Sequence, residues 1–252
     1  MVAAALSVLV LTEDTAADAH ATVTAIAKKV LFLLEPALDV DRVSFGRADE
    51  RARAGMGFNC YKSRSPRDHG KKVALAQAIA THLLHADGPT AVLVHIDADR
   101  PWAGDHDVAC ENVTRFHEAV LGPVATLLAQ KGRRDRLAHL ALLVPFWSIE
   151  SWLYQNTTEA LKICQEQHPR HARAVTQLED WRDAPHTLDA HPQPKDATTL
   201  GSKYNRRLAE SSFPAGRVYR LGLSFTHSVE HARAGLATLL RDPRRSPAAD
   251  GP

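Results

Sequence analysis

Val92-Leu93-Val94-His95-Ile96-Asp97-Ala98-Asp99-Arg100 is a run of branched and aliphatic residues that leads straight into two carboxylates one residue apart. A continuous apolar run suits a strand buried on both faces of a parallel sheet. The carboxyl end of such a strand is where open α/β sheets bind ligands. Pro101 is expected to end the ladder. Two carboxylates this close repel unless a proton or a cation lies between them. A hard, oxygen-preferring ion, Mg²⁺ (or Mn²⁺), suits that position. An Asp after a strand is also ordinary turn chemistry, and Asp99 alone can shape the loop around Arg100-Pro101. An EF-hand is excluded. Counted from Asp97, the fifth, sixth and twelfth positions are Pro101, Trp102 and Val108, which supply neither the ligands nor the Gly that such a loop needs.

Two other apolar runs have the same design. Ala4 to Leu11 reads as a buried strand followed by Thr12-Glu13-Asp14-Thr15, where Thr12, Asp14 or Thr15 can cap a helix from about Ala16 to Leu34. Val23, Ile26, Ala27, Val30, Leu31 and Leu34 have helical spacing on one face. Leu137 to Val144 reads as a third buried strand closed by Pro145. Ser148 is placed to cap a helix with Glu150 in its first turn. Taken singly, Glu13 and Glu150 are explained by the attraction of a carboxylate to a helix N-terminus. Taken together, three strands each end in acid, and in a parallel sheet those ends share one edge. Carboxylates gathered there can hold divalent ions, which polarise a phosphoryl oxygen and generate hydroxide.

The remaining chain supplies helices and cations. Arg42 to Phe45 suggests a short strand. Gly55 to Lys62 and the basic Ser63 to Arg67 read as a loop whose Lys62, Arg64 and Arg67 could touch phosphates. His69 to Leu84 reads as a helix with Val73, Ala76, Ile79, Ala80, Leu83 and Leu84 inward. Asp107 to Ala129 reads as a long helix kinked at Gly122-Pro123. His168 to Pro194 has the look of a partly helical insertion or lid, and His168, His171, His186 and His191 show no metal-binding spacing. Gly201 to Leu208 is a compact basic cluster. Phe213 to Leu240 suggests one or two helices, and the Pro- and Arg-rich tail beyond is expected to fray.

Composition bounds the class. The 252 residues, 44% hydrophobic and 24% charged, suit one large α/β domain or one domain with an appendage. No apolar run approaches a membrane span, and Met1 to Leu11 lacks a basic leader, so a cytoplasmic protein without membrane contact is expected. Cys60, Cys110 and Cys164 form neither a disulfide framework nor a zinc motif. The formal charge of +2 is uneven: residues 1–130 carry 13 Lys/Arg against 16 Asp/Glu, and residues 131–252 carry 18 against 13. An acidic half beside a basic half suits a metal site next to a polyanion surface, and equally an ordinary solvated exterior.

Glu13 in Val-Leu-Thr-Glu, with Asp97-Ala98-Asp99 after a later strand, resembles the Toprim fold of topoisomerases, primases and OLD-type nucleases. The nearer likeness is to small stand-alone Toprim-like proteins of bacterial defence loci, the RloB-like group among them. There a strand is followed by Pro, an aromatic and a Glu-x-Trp-Leu helix, similar to Pro145-Phe146-Trp147-Ser148-Ile149-Glu150-Ser151-Trp152-Leu153. A downstream Ser-Lys segment matches Gly201-Ser202-Lys203. Two departures stand out: Asp14 replaces the Gly that often follows the first Glu, and His95 precedes the Asp97 turn.

The resemblance implies an α/β fold with a parallel-rich central sheet flanked by helices. It divides the chain into a core over 1–160, a mostly helical insertion and C-terminal extension over 161–240, and a flexible tail over 241–252. It implies a Mg²⁺- or Mn²⁺-dependent phosphodiesterase, a nuclease on DNA or RNA, with a place in phage defence. Glu13, Asp97 and Asp99 would ligate metal, with Glu13 alternatively the general acid or base, and Glu150 an added or supporting ligand. Lys203, and less directly Lys62, would meet the scissile phosphate, with Arg206 and Arg207 on the nucleic-acid backbone. Nucleic acid is the implied partner, beside a protein of the same defence system or a second copy in a homo-oligomer. Two rival expectations remain. One is a non-catalytic sensor on the same scaffold, with Phe146, Trp147, Trp152 and Tyr154 as its interface. The other is a phosphohydrolase of small nucleotides.

Overall fold

The computed structural model describes residues 6–85, 88–99, 110–167, 172–190 and 200–240. These form a four-stranded, all-parallel sheet with helices on both faces and a helical C-terminal region. The strands are β1 (Leu6–Thr12), β2 (Val43–Arg47), β3 (Thr90–His95) and β4 (Leu140–Leu143), in the order β2-β1-β3-β4. Winding proceeds to one side from β1 to β2 and to the other from β3 to β4. A crevice therefore opens between the carboxyl ends of β1 and β3. Thr12 is paired with His95 at that rim. Every residue of β3 is buried, as its unbroken apolar run requires.

Helix α1 (Ala17–Leu34) covers one face through Val23, Ile26, Ala27, Val30, Leu31 and Leu34, the spaced set read from the sequence. No side chain caps it; Asp14 Oδ1 instead accepts the Ala16 N–H at 2.8 Å, forming a turn before the helix. The other face carries α2 (Glu50–Met56) and α3 (His69–Leu83). In α3 the expected inward Val73 is exposed, and Leu75, Ile79 and Leu83 point inward. These three lie one turn apart on one stripe, and Val73 stands two residues from Leu75, about 200° around the helix. The described part of the long helix runs as α4 (Glu111–Phe116), a π turn over His117–Leu121, and α5 (Gly122–Gln130). Pro123 has no N–H to give, and the Gly122 N–H reaches back five residues to His117, so the break appears as a wider turn. Residues 107–109 of the expected helix, Arg100 and Pro101 lie outside the described residues.

The third acidic strand is shorter than its apolar run. Arg134–His139 is a 3₁₀ turn and only Leu140–Leu143 pairs with β3. Helices α6 (Glu150–Leu153), α7 (Thr157–Gln167) and α8 (Ala172–Asp183) follow. After them come α9 (Asn205–Glu210), α10 (Ala215–Leu221) and α11 (Ser224–Leu240). Helix α11 packs so closely on the turn that leads into β4 that a Cβ at Gly235 would strike the Ala138 carbonyl. Ser148 does not cap α6 with its side chain; its carbonyl accepts the Ser151 N–H at 3.0 Å.

One expectation about this half is overturned. Trp152 and Tyr154 are fully buried core residues and form no exposed interface. Their polar tips are satisfied inside: Trp152 Nε1 donates to Ser224 Oγ at 2.7 Å, and Tyr154 Oη to the Leu200 carbonyl at 2.5 Å. The described part of 168–194 is partly helical, as expected, and packs on the core. Leu178, Trp181 and Leu188 are buried in the cluster that contains β1 and α1. His168, His171 and His191 fall outside the described residues, as does the tail 241–252. Among the described residues no helix is long and apolar enough to cross a membrane.

Candidate functional site

The rim between β1 and β3 brings Glu13, Asp97 and Asp99 together. Glu13 Oε2 accepts the backbone N–H of Asp97 at 2.9 Å, and Glu13 Oε1 accepts the Tyr61 hydroxyl. The Lys62 ammonium stands 3.3 Å from Glu13 Oε1 and 3.3 Å from Asp99 Oδ2. Tyr61 and Lys62 end a 3₁₀ turn over Gly57–Lys62 that follows α2. That turn is anchored twice: the Tyr61 ring meets Phe116 edge-on at 5.5 Å, and the Lys62 carbonyl accepts Arg115 Nη1 at 3.2 Å. Burial, then the Glu13 carboxylate, pushes the Tyr61 phenol far above its ordinary value, so Tyr61 remains a proton-bearing donor.

Beyond the strands, the segment after β3 stays bonded to the segment after β4. The N–H groups of Ile96, Ala98 and Asp99 donate to the carbonyls of Leu143, Pro145 and Trp147 at 3.1, 3.0 and 3.2 Å. Asp99 (φ 53°) and Trp147 (φ 64°) both adopt the left-handed conformation, which costs a non-glycine residue free energy. Asn112 holds this turn from the start of α4, donating to the Asp97 carbonyl at 2.7 Å and to Asp99 Oδ2 at 2.8 Å. The two aspartates therefore differ. The Asp99 side chain is 65% exposed, whereas that of Asp97 points inward and is 27% exposed.

Asp97 Oδ1 lies 3.2 Å from His95 Nε2, close enough for an ion pair but not aligned as a hydrogen bond, and neither atom has another partner. His95 Nδ1 is 3.3 Å from Thr12 Oγ1. Burial raises the Asp97 carboxyl, with Glu13 and Glu150 adding to the rise and His95 opposing it. Burial alone would lower His95, but the Asp97 carboxylate beside it outweighs that and holds it above the usual value. Glu150 is buried and accepts Asn205 Nδ2 at 2.8 Å. It lies near enough to act electrostatically on Asp97 and His95.

The C-terminal cations have other partners. Lys203 Nζ lies over the Tyr204 ring at 4.8 Å. Arg206 pairs with Glu210 at 2.9 Å and Asp18 at 3.6 Å. Arg207 pairs with Glu159 at 2.7 Å and Glu166 at 2.8 Å. Of the expected cations, Lys62 is the one within 4 Å of a rim carboxylate. Sequence patterns missed Tyr61, Asn112 and Asn205. None has a spacing signal; each is brought in from a separate helix or turn. Among the described residues no group of three or more His, Cys, Asp or Glu side chains forms a ready-made metal cage. Comparison with known protein families, curated proteins and solved structures finds no match.

Proposed function

We propose that this chain is a divalent-metal-dependent phosphodiesterase, a nuclease in its most specific form, acting at the rim between β1 and β3. The observation that carries the reading is the convergence of Glu13, Asp97 and Asp99 on one crevice with a cation, the Lys62 ammonium, already between two of them. The donor set fits a hard ion: three carboxylates, one of which keeps a buried Oδ1 without a hydrogen-bond partner. Glu13, Asp97 and Asp99 would hold Mg²⁺ or Mn²⁺, with Glu150 behind them. A bound ion supplies Lewis acidity at a phosphoryl oxygen.

The chain's own groups divide the remaining work. Lys62 presents positive charge where a phosphate's non-bridging oxygens gather charge during displacement. Tyr61 fixes Glu13 in one rotamer, and Asn112 fixes the Asp99 turn, so the carboxylates meet the substrate without reorganising. Lys203 and Arg206, in exposed contacts that exchange readily, would bind further along a strand. A nucleic acid is then the substrate, and a protein from the same defence system or a second copy of this chain an additional partner.

The experiment is cleavage of single- and double-stranded oligonucleotides with Mg²⁺ or Mn²⁺ by the wild type and by Asp97→Ala/Asp99→Ala. Loss of cleavage with an unchanged circular dichroism spectrum supports the assignment; equal cleavage refutes it. One observation favours a second reading. Lys62 neutralises Glu13 and Asp99 by itself, as a purely structural salt bridge on a non-catalytic scaffold would. That reading predicts no thermal stabilisation by Mn²⁺.

A further inference from the structure

Beside the carboxyl end of β1, two arginines line one void without an ion pair to either among the described residues. Arg47 ends β2, and Arg53 lies on α2. Both line a small void together with Asp14, Thr15 and His20. Arg53 also lines an adjoining cavity of about 490 Å³ with Thr15, Glu50, Gly57, Cys60, Asp68 and Lys71. Among the described residues neither arginine forms an ion pair, and buried Arg53 Nε has no hydrogen-bond partner. Arg47 donates to the Thr15 carbonyl. His20 Nε2 is likewise buried and unpartnered.

The carboxylates that could neutralise this group are otherwise engaged or too distant. Asp14 Oδ1 accepts the Ala16 N–H, and Asp68 pairs with Lys71 at 2.8 Å. Glu50 lines the cavity but lies beyond ion-pair distance of both guanidinium groups. His20 falls below its ordinary value through burial first, then through the charges of Arg47 and Arg53, which places it within the field of both guanidinium groups. A partly buried guanidinium without an ion-pair partner, here Arg53 with exposed Arg47 beside it, favours an anion, and the planar forks match phosphate oxygens in pairs. The start of α1 adds its unpaired N–H groups. The room is in the cavity of about 490 Å³ beside Arg53 and Thr15; Thr15 packs so closely on Gly57 that a Cβ there would meet its Cγ2 at 2.8 Å.

We propose that Arg47 and Arg53, with Thr15 and the first turn of α1, form a phosphate-binding subsite two residues along the chain from Glu13. It takes a phosphate of the bound strand other than the one that reacts; that substrate assignment rests on the phosphodiesterase reading, whereas phosphate binding does not. The subsite deepens the function by giving the enzyme a second grip on a polynucleotide, which a small nucleotide with one phosphate cannot use.

The test is titration calorimetry with inorganic phosphate, at constant ionic strength, on the wild type, Arg53→Met, Arg47→Gln and Glu13→Gln. Arg53→Met is expected to weaken phosphate binding about tenfold or more, and Arg47→Gln, at an exposed position that the fold tolerates, by several-fold. Glu13→Gln should bind phosphate at least as tightly as the wild type. For cleavage, Arg47→Gln should raise KM for an oligonucleotide while leaving kcat within about twofold. Equal phosphate affinity in wild type and both arginine variants overturns the subsite. Phosphate binding lost in the arginine variants, in a protein that cleaves no polynucleotide, upholds the subsite and rejects the nuclease alone.

Discussion

Oε2 of Glu13 accepts the backbone N–H of Asp97 at 2.9 Å, across 84 residues of chain. The bond ties the carboxyl ends of two central strands to each other. It also aims the carboxylate at the crevice, because one oxygen is taken by Asp97 and the other by Tyr61 and Lys62. A carboxylate held by three groups has a structural role, and substitutions separate it from the chemical role proposed for Glu13.

Glu13→Gln keeps an acceptor for the Asp97 N–H and removes the charge. Stability is expected to fall by about 1 kcal/mol, with metal-dependent cleavage reduced at least about a hundredfold. Glu13→Ala removes the acceptor as well and is expected to cost about 2–3 kcal/mol. Urea titration of the two variants beside a cleavage assay measures both roles. Equal cleavage in Glu13→Gln and wild type rejects a chemical role.

Lys62→Met tests whether the ammonium and a divalent ion compete for the same oxygens. Without Lys62, Glu13 and Asp99 repel each other, and Mn²⁺ is expected to bind several-fold more tightly. Cleavage is nevertheless expected to drop, because the charge on the phosphate is lost. Thermal shift against Mn²⁺ concentration reports the first effect and turnover at saturating metal the second. A weaker Mn²⁺ response in the variant contradicts shared ligands.

Trp152 measures the cost of the C-terminal extension's packing. It lies edge-on to Phe225 at 5.1 Å, and its Nε1 donates to Ser224 Oγ, which in turn donates to the buried Asp189. Trp152→Ala is expected to destabilise by about 3–5 kcal/mol through the cavity left behind. Ser224→Ala, which strands Trp152 Nε1 and an Asp189 oxygen, is expected to cost about 1–3 kcal/mol. Chemical denaturation gives both values. Losses under about 0.5 kcal/mol would mean that the extension is not part of the same core.

Acid is expected to destabilise the protein from near neutral pH. His20, His82 and His139 all lie below the ordinary histidine value because burial disfavours the imidazolium. In the unfolded chain each takes up its proton near pH 6.5, while in the fold it does so at lower pH. Between those two points the unfolded state binds more protons, so stability falls as pH drops through the window. His95 acts oppositely: its raised value stabilises the fold at low pH, and that contribution is lost as pH rises through the folded value. Asp97 and Asp189, both raised by burial, favour the fold on the more acidic side. Burial lowers His117 and His231 in the same way, and five histidines against one give a melting temperature that declines from pH 7.5 to 5.5. A flat profile contradicts the buried-imidazole account.

The parts of the site that sequence made legible are those carried by strand ends. An apolar run closing in acid needs no knowledge of neighbours, so Glu13 and the Asp97–Asp99 pair could be located from pattern alone. Lys62 was recognisable only as one basic loop residue among several, and its place between two carboxylates depends on the anchoring of Tyr61 against Phe116. Val73 was misplaced because one valine at helical spacing weighs little against the leucine stripe beside it. Trp152 and Tyr154 suggested an exposed aromatic surface because a short sequence cannot show that Ser224 and the Leu200 carbonyl await their polar tips.

By itself, the order of residues determined a parallel α/β sheet and the acidic ends of its strands, since period and polarity are local properties. Only the folded molecule decided the order of the strands, and with it which acids face one another. It also decided that Asn112 and Tyr61 hold the rim and that Glu150 is buried against Asn205. Those outcomes depend on contacts between segments far apart in the chain, whose free energies exist only when every partner is in place.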